Sequence, residues 1–180
     1  IVPMRVERFP AAKVYDQAAD RIAGHLNKGE DVVVLCEGDP FFYGSFVYLY
    51  ERLGDRFACE VVPGVSSLMA SAAALQRPLA ARNDVLTVLP APLDDARLER
   101  AINNADAIAI IKISRHFERV RAIIERMGLT ANAGYLERVS LDNQKVMPLG
   151  DVAEASAPYF SMILIYKGDE AWMLPPQSSS

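Results

Sequence analysis

Apolar positions in the first part of the chain follow two different periods. Val14, Ala18, Ile22 and Leu26 recur at every fourth residue, which lays one apolar stripe along a helix that Gly29 stops. Asp31 then opens Val32-Val33-Val34-Leu35-Cys36, a run without a polar position. Such a strand needs burial on both faces, as in a parallel sheet covered by helices. Glu37-Gly38-Asp39-Pro40 breaks the run, and Phe46, Leu49, Tyr50 and Leu53 form the apolar face of the next helix. Cys59-Glu60-Val61-Val62 predicts a second strand, Pro63-Gly64 a turn, and the alanine-rich stretch from Ser67 to Leu75 a third helix. Strand, loop and helix in repetition predict an α/β lobe with a mainly parallel sheet.

The segment from Arg77-Pro78 to Arg82-Asn83-Asp84 reads as a linker, and the pattern changes after it. Val85 to Leu89 predicts a strand, Asp94 to Asn104 a helix, and Ala107 to Ile113 another strand. Phe117, Val120, Ile123, Ile124 and Met127 share a helix face that Gly128 closes. Three strand-like pieces follow with no long helix between them: Gly134 to Val139, Gln144 to Leu149 and Phe160 to Tyr166. Short turns between consecutive strands favour antiparallel pairing, so this half is expected to carry a mixed sheet. The expected organisation is two α/β lobes, 1–81 and 82–170, followed by a disordered tail over 171–180 that ends in Ser178-Ser179-Ser180.

Composition narrows the classes of partner. The 180 residues are 51% hydrophobic and 23% charged, with a net charge of −4. An acidic chain lacks the basic footprint that a nucleic-acid backbone demands, so no nucleic-acid partner is expected. No apolar run reaches the length of a membrane span, so no membrane partner is expected and a cytoplasmic location follows. Cys36 and Cys59 each sit inside an apolar run and are expected as buried structural thiols. His25 and His116 stand alone, and no Cys, His and Asp set has metal spacing, so no metal is expected. Ile1-Val2-Pro3-Met4 is neither a signal peptide nor an initiation site, and the chain reads as beginning partway into a protein.

Ligands in open α/β sheets bind beyond the carboxyl ends of strands, and two loops of the first lobe meet that condition. In Glu37-Gly38-Asp39-Pro40-Phe41-Phe42-Tyr43-Gly44, Gly38 lets backbone approach a ligand, Pro40 stiffens the turn and the aromatics form an apolar wall. The same residues also suit a tight turn with aromatics plugging a core. In Val62-Pro63-Gly64-Val65-Ser66-Ser67 the serines offer hydroxyls and amides at a helix start, which suits a carboxylate or ribose, or simply caps the helix. There is no dinucleotide fingerprint, phosphate loop or nucleophile elbow.

Gly38-Asp39-Pro40 after an apolar strand, followed by Pro63-Gly64-Val65-Ser66-Ser67, resembles the SAM-dependent tetrapyrrole methylase family. The longer run from Leu35 to Phe46 is similar to its precorrin-2 C(20)-methyltransferase branch, as are Val85-Leu86-Thr87-Val88-Leu89-Pro90 and Ala157-Pro158-Tyr159-Phe160-Ser161-Met162-Ile163-Leu164. The likeness runs from about Tyr15 to Gly168. It implies two α/β lobes with S-adenosylmethionine (SAM) in the cleft between them, and a homodimer. It implies SAM contacts from Gly38, Asp39, Pro40, Phe42, Ser66 and Ser67. Main-chain atoms near Lys112-Ile113 and the Ser161 position complete the donor site, although Ile113 also fits ordinary core packing. Family members open with a strand and a Gly/Pro-rich loop ending in aspartate, and nothing before Tyr15 matches that pattern.

The implied reaction carries a methyl group from the sulfonium of SAM to carbon 20 of precorrin-2, giving precorrin-3A. It is an in-line displacement that calls for alignment and a dry site rather than a metal or covalent nucleophile. Asp39 is the charged group expected nearest the donor, as a catalytic residue or as a turn-forming aspartate. A substrate rich in carboxylates calls for a basic rim, for which Arg82, Arg115, His116 and Arg138 are candidates. Tyr43 suits stacking on the macrocycle or packing in the core. The alternatives are a relative acting on cobalt-factor II or another carbon, a diphthine-synthesis or ribosomal-RNA methylase, and a non-catalytic module that binds SAM or a tetrapyrrole.

Overall fold

The computed structural model describes residues 12–168, and the expected tail at 171–180 and the residues before α1 lie outside them. The chain divides into two compact units, Ile1–Ser66 and Ser67–Ser180. The expected boundary after residue 81 therefore falls within the second unit. The reason is packing: α3 (Ser67–Leu75) sends Leu75 against the second unit's sheet, where its Cδ1 would lie 3.2 Å from a Cβ added to Gly134.

The first unit holds α1 (Ala12–Leu26) and α2 (Phe46–Leu53). The two helices pack through Tyr15 and Tyr48, whose rings lie 4.9 Å apart, and Arg52 Nε donates to Asp16 Oδ1 at 2.7 Å. Val32–Cys36 and Cys59–Val62, expected as parallel strands, enter no β-ladder among the described residues. Both segments line the same open cavity of about 690 Å³ instead of bonding to each other. A run of apolar residues becomes a strand only when a neighbour takes its amides and carbonyls. Here Val33 is 81% and Leu35 91% exposed. Cys36 and Cys59 are consequently exposed free thiols, not the buried ones expected.

The second unit is α/β with a mixed sheet, as the strand spacing predicts. Its order is β1-β2-β5-β3-β4, from β1 (Leu86–Pro90), β2 (Ala107–Ile111), β3 (Ala133–Glu137), β4 (Lys145–Pro148) and β5 (Ser161–Tyr166). Only β1 and β2 run parallel; β5 pairs antiparallel with both β2 and β3, and β4 antiparallel with β3. Every residue of β2, β3 and β5 is buried, which explains why they are apolar except for Glu137 at the end of β3 and Ser161 at the start of β5.

Alternation along the strands sorts these residues between two faces. One face presents Ile108, Ile110, Ile163 and Ile165, and receives α4 (Asp95–Asn103) and α5 (Phe117–Arg126) through Leu98, Ile102, Val120 and Ile124. Asp94 starts α4 as a cap, its Oδ1 accepting the Arg97 amide at 2.9 Å. Among the described residues no helix is long and apolar enough to cross a membrane.

Ile163 sits in the central strand with no exposure. Truncation to alanine is expected to cost about 2–5 kcal/mol. Urea unfolding of Ile163→Ala beside the parent chain measures this; a loss under about 1 kcal/mol would mean that β5 is not the packed centre described.

Candidate functional site

The two loops singled out in the first unit touch. Asp39 makes the junction: Oδ1 accepts the Phe41 amide at 2.9 Å and Oδ2 accepts the Gly64 amide at 3.1 Å. One carboxylate thus closes its own turn and ties the second loop to it. The approach is so close that a Cβ on Gly64 would stand 2.3 Å from the Gly38 carbonyl oxygen, a distance no side chain tolerates. Gly38 itself lies at φ +77, in the left-handed region that glycine adopts at little cost. Sequence reasoning attached Gly64 only to a turn; the need for glycine there is set by the neighbouring loop.

Around this junction Phe42 is half-buried and packs edge-on against Tyr43, with ring centres 5.1 Å apart. Tyr43 is 52% exposed and adopts φ +53, uncommon for an aromatic residue. Ser66 is buried at the end of the second loop. Ser67 opens α3 and belongs to the second unit.

In the second unit the remaining candidates fall on two edges of the sheet. Because β2 and β3 both oppose β5, their carboxyl ends lie on one edge, where Ile111 pairs with Met162 and Glu137 with Ser161. That edge brings together Lys112, Ile113, Arg138 and Ser161. Arg115 follows closely in the 3-10 turn after β2, exposed. Arg82 precedes β1 and lies at the opposite edge, by the amino ends of β1 and β2. The sheet therefore separates Arg82 from Arg115 and Arg138.

Ile113 is fully buried in the core, and its carbonyl accepts the His116 amide at 2.7 Å. Only its remaining main-chain atoms are left for a ligand. The Ser161 hydroxyl donates to the Pro158 carbonyl at 2.6 Å, which leaves its oxygen as an acceptor. Lys112 and Arg138 sit at φ +59 and +50, each directly after a buried strand. Left-handed backbone at non-glycine residues costs energy and clusters where function requires it.

Sequence reasoning missed the groups behind Arg138. Glu137 has a side chain only 6% exposed, and its Oε1 takes Arg138 Nη1 at 2.9 Å and Lys145 Nζ at 3.2 Å. Its Oε2 accepts the Tyr135 hydroxyl at 2.8 Å. Burial, followed by the bond to Glu137, drives the Tyr135 phenol well above its ordinary range. Lys145 is raised by its bonds to Glu137 and then Glu154. Glu154 is lowered, first by its own backbone amide and then by Lys145. The signal in the sequence was the alternation Tyr135, Glu137, which puts both on one face of β3. Among the described residues, no three His, Cys, Asp or Glu side chains gather as a metal site would need.

The model of the tetrapyrrole (corrin/porphyrin) methylases matches residues 1–155. The chain belongs to that family. The chain is 44% identical over 154 residues to the cobalamin biosynthesis protein CobIJ of Mycobacterium tuberculosis, covering 86% of this chain and 30% of that one. It is 37% identical over 151 residues to the precorrin-2 C(20)-methyltransferase of a Sinorhizobium species, covering 84% of this chain and 62% of that protein. The chain thus spans less than two thirds of the length of either relative. Its fold is similar to that of the uroporphyrin-III C-methyl transferase of Thermus thermophilus solved with S-adenosyl homocysteine. The TM-score is 0.60 at 21% identity, over 84% of this chain and 73% of that one.

Two outcomes test the geometry. Gly64→Ala is expected to open the loop junction, so that the Gly64 amide exchanges with deuterium at least tenfold faster while the sheet core stays protected; unchanged exchange would refute the close approach. The folded Tyr135 phenol holds its proton more tightly than an unfolded one. Its contribution to stability is therefore intact below a tyrosine's ordinary 10.0 and lost as pH climbs beyond it. Tyr135→Phe is expected to flatten that alkaline decline in urea midpoints, and an identical decline in both proteins would rule the assignment out.

Proposed function

We propose that this chain carries the donor and substrate sites of a C-methyltransferase of cobalamin biosynthesis, which moves the methyl of SAM onto carbon 20 of precorrin-2 to give precorrin-3A. The observation that carries the reading is the Asp39 junction. It joins the two loops of the family motif, in a chain 37% identical to a precorrin-2 C(20)-methyltransferase. The solved Thermus relative, with its bound S-adenosyl homocysteine, supports SAM as donor, since that compound is the donor's demethylated product.

In this reading Gly38, Asp39, Pro40, Phe42 and Ser66 are the donor contacts of the first unit, and Ser67, the Ile113 main chain and Ser161 Oγ are those of the second. SAM supplies an electrophilic methyl. The electron pair comes from the meso carbon of the macrocycle, the carbon–carbon bond forms, and the sulfur–methyl pair returns to sulfur as the positive charge disappears. The meso proton then leaves to restore conjugation. Alignment accounts for most of the rate in such a transfer, and Asp39 serves it by keeping the loops together rather than by taking a proton. Tyr43, Arg115 and Arg138 contact the macrocycle and its carboxylates, and the working enzyme is a homodimer.

The test is direct. Protein, SAM and precorrin-2 are incubated, and the product is read by mass and by the carbon that carries label from methyl-labelled SAM. One added methyl at carbon 20 is expected. Binding of SAM in a calorimeter with no transfer to either precorrin-2 or its cobalt-containing form would favour the non-catalytic module instead. Asp39→Ala is expected to weaken SAM binding about tenfold or more through loss of two hydrogen bonds.

A further inference from the structure

We propose that Glu137 is a positioning residue of the tetrapyrrole site, which holds the Arg138 guanidinium where it receives a carboxylate of the macrocycle. This rests on the function proposed above and deepens it.

Glu137 ends β3 at the sheet edge where ligands of α/β proteins bind. A buried carboxylate is costly unless donors surround it, and this one has three: Tyr135 Oη, Arg138 Nη1 and Lys145 Nζ. Lys145 is shared with Glu154 at 3.3 Å. Arg138 differs from Lys145 in what it leaves open. Among the described residues its side chain has Glu137 as its protein partner, through Nη1. Nε and Nη2 remain as donors, on the edge of the guanidinium suited to a second, two-pronged carboxylate.

The backbone is held as firmly as the side chain. Arg138 sits at φ +50, its amide donates to the Phe160 carbonyl at 2.7 Å, and its carbonyl accepts the Leu141 amide at 3.0 Å. Those two bonds bring a cation beside exposed apolar surface. Tyr159 is 68%, Phe160 55% and Leu141 53% exposed, and the two aromatic rings stack edge-to-face at 5.1 Å. A cation with open donors next to exposed rings fits an apolar macrocycle that carries carboxylates on its rim. The aromatic pair also belongs to the Ala157–Leu164 stretch, for which the donor site uses only Ser161.

The experiment is a double-mutant cycle with uroporphyrin III, an octacarboxylate tetrapyrrole, bound to the protein and followed by fluorescence. Glu137→Gln keeps the shape and removes the charge. It is expected to weaken porphyrin binding about tenfold, the size of one charged hydrogen bond. In an Arg138→Gln background the same change is expected to add nothing, because its effect passes through Arg138. SAM affinity, measured on the same preparations, is expected to stay within twofold. Glu137→Asp keeps the charge but falls one methylene short, so it is expected to weaken the porphyrin too if Glu137→Gln does not fold.

The proposal is overturned if Glu137→Gln weakens the porphyrin equally in both backgrounds, as a purely structural role requires. It is also overturned if both Glu137 variants bind like the parent, or if the parent binds no porphyrin. Failure of the parent to bind SAM or transfer methyl defeats the methyltransferase reading separately, since the porphyrin cycle still reads Glu137.

Discussion

The arrangement of the second unit depends on one insertion: β5, the last strand among the described residues, lies between β2 and β3. Its backbone groups are taken on both sides and its side chains are buried on both faces, so from Met162 to Tyr166 it is apolar, and a shift of register would misplace every one of them. Because β5 opposes both neighbours, it forces the ends of β2 and β3 onto one edge. Ile113, Arg138 and Ser161, far apart in the chain, meet there for that reason.

A single carboxylate plays the corresponding part in the first unit. Asp39 spans two loops through backbone amides, and Gly38 and Gly64 give it the room. Charge-assisted bonds from a carboxylate to backbone are short and directional, so they define loop geometry better than apolar contact could. A residue with both oxygens committed in this way is better suited to holding a donor site in shape than to exchanging protons. The transfer proposed for the family asks for that, since the tetrapyrrole brings its own nucleophilic carbon.

The two clusters differ in how they manage charge. The Asp39 loops satisfy one carboxylate with backbone amides, whereas the Glu137 cluster balances two carboxylates against Arg138 and Lys145 around a buried phenol. Opposed charges at the end of a buried strand are tolerable only when every partner is present. The cluster therefore constrains Arg138 more tightly than a surface arginine is usually constrained. Strain in the same place, with Lys112 and Arg138 both left-handed, points to an edge shaped for more than stability.

Much of this was legible in the chain itself. The apolar stripe from Phe117 to Met127 marked one helix, the alanine-rich stretch from Ser67 another, and the short turns between consecutive strands the mixed character of the second sheet. The Gly38-Asp39-Pro40 and Pro63-Gly64 motifs marked the loops and, by resemblance, the family. Tertiary structure decided the rest. Val32–Cys36 carries a strand's composition but enters no ladder among the described residues, since a strand exists only through a neighbour that no local pattern contains. Arg82 and Arg138 looked equivalent in sequence, and only the direction of their strands sent them to opposite edges. Glu137 read as one more charge at a strand end. Its burial, and the three donors around it, came from strands and side chains that a linear reading cannot bring together.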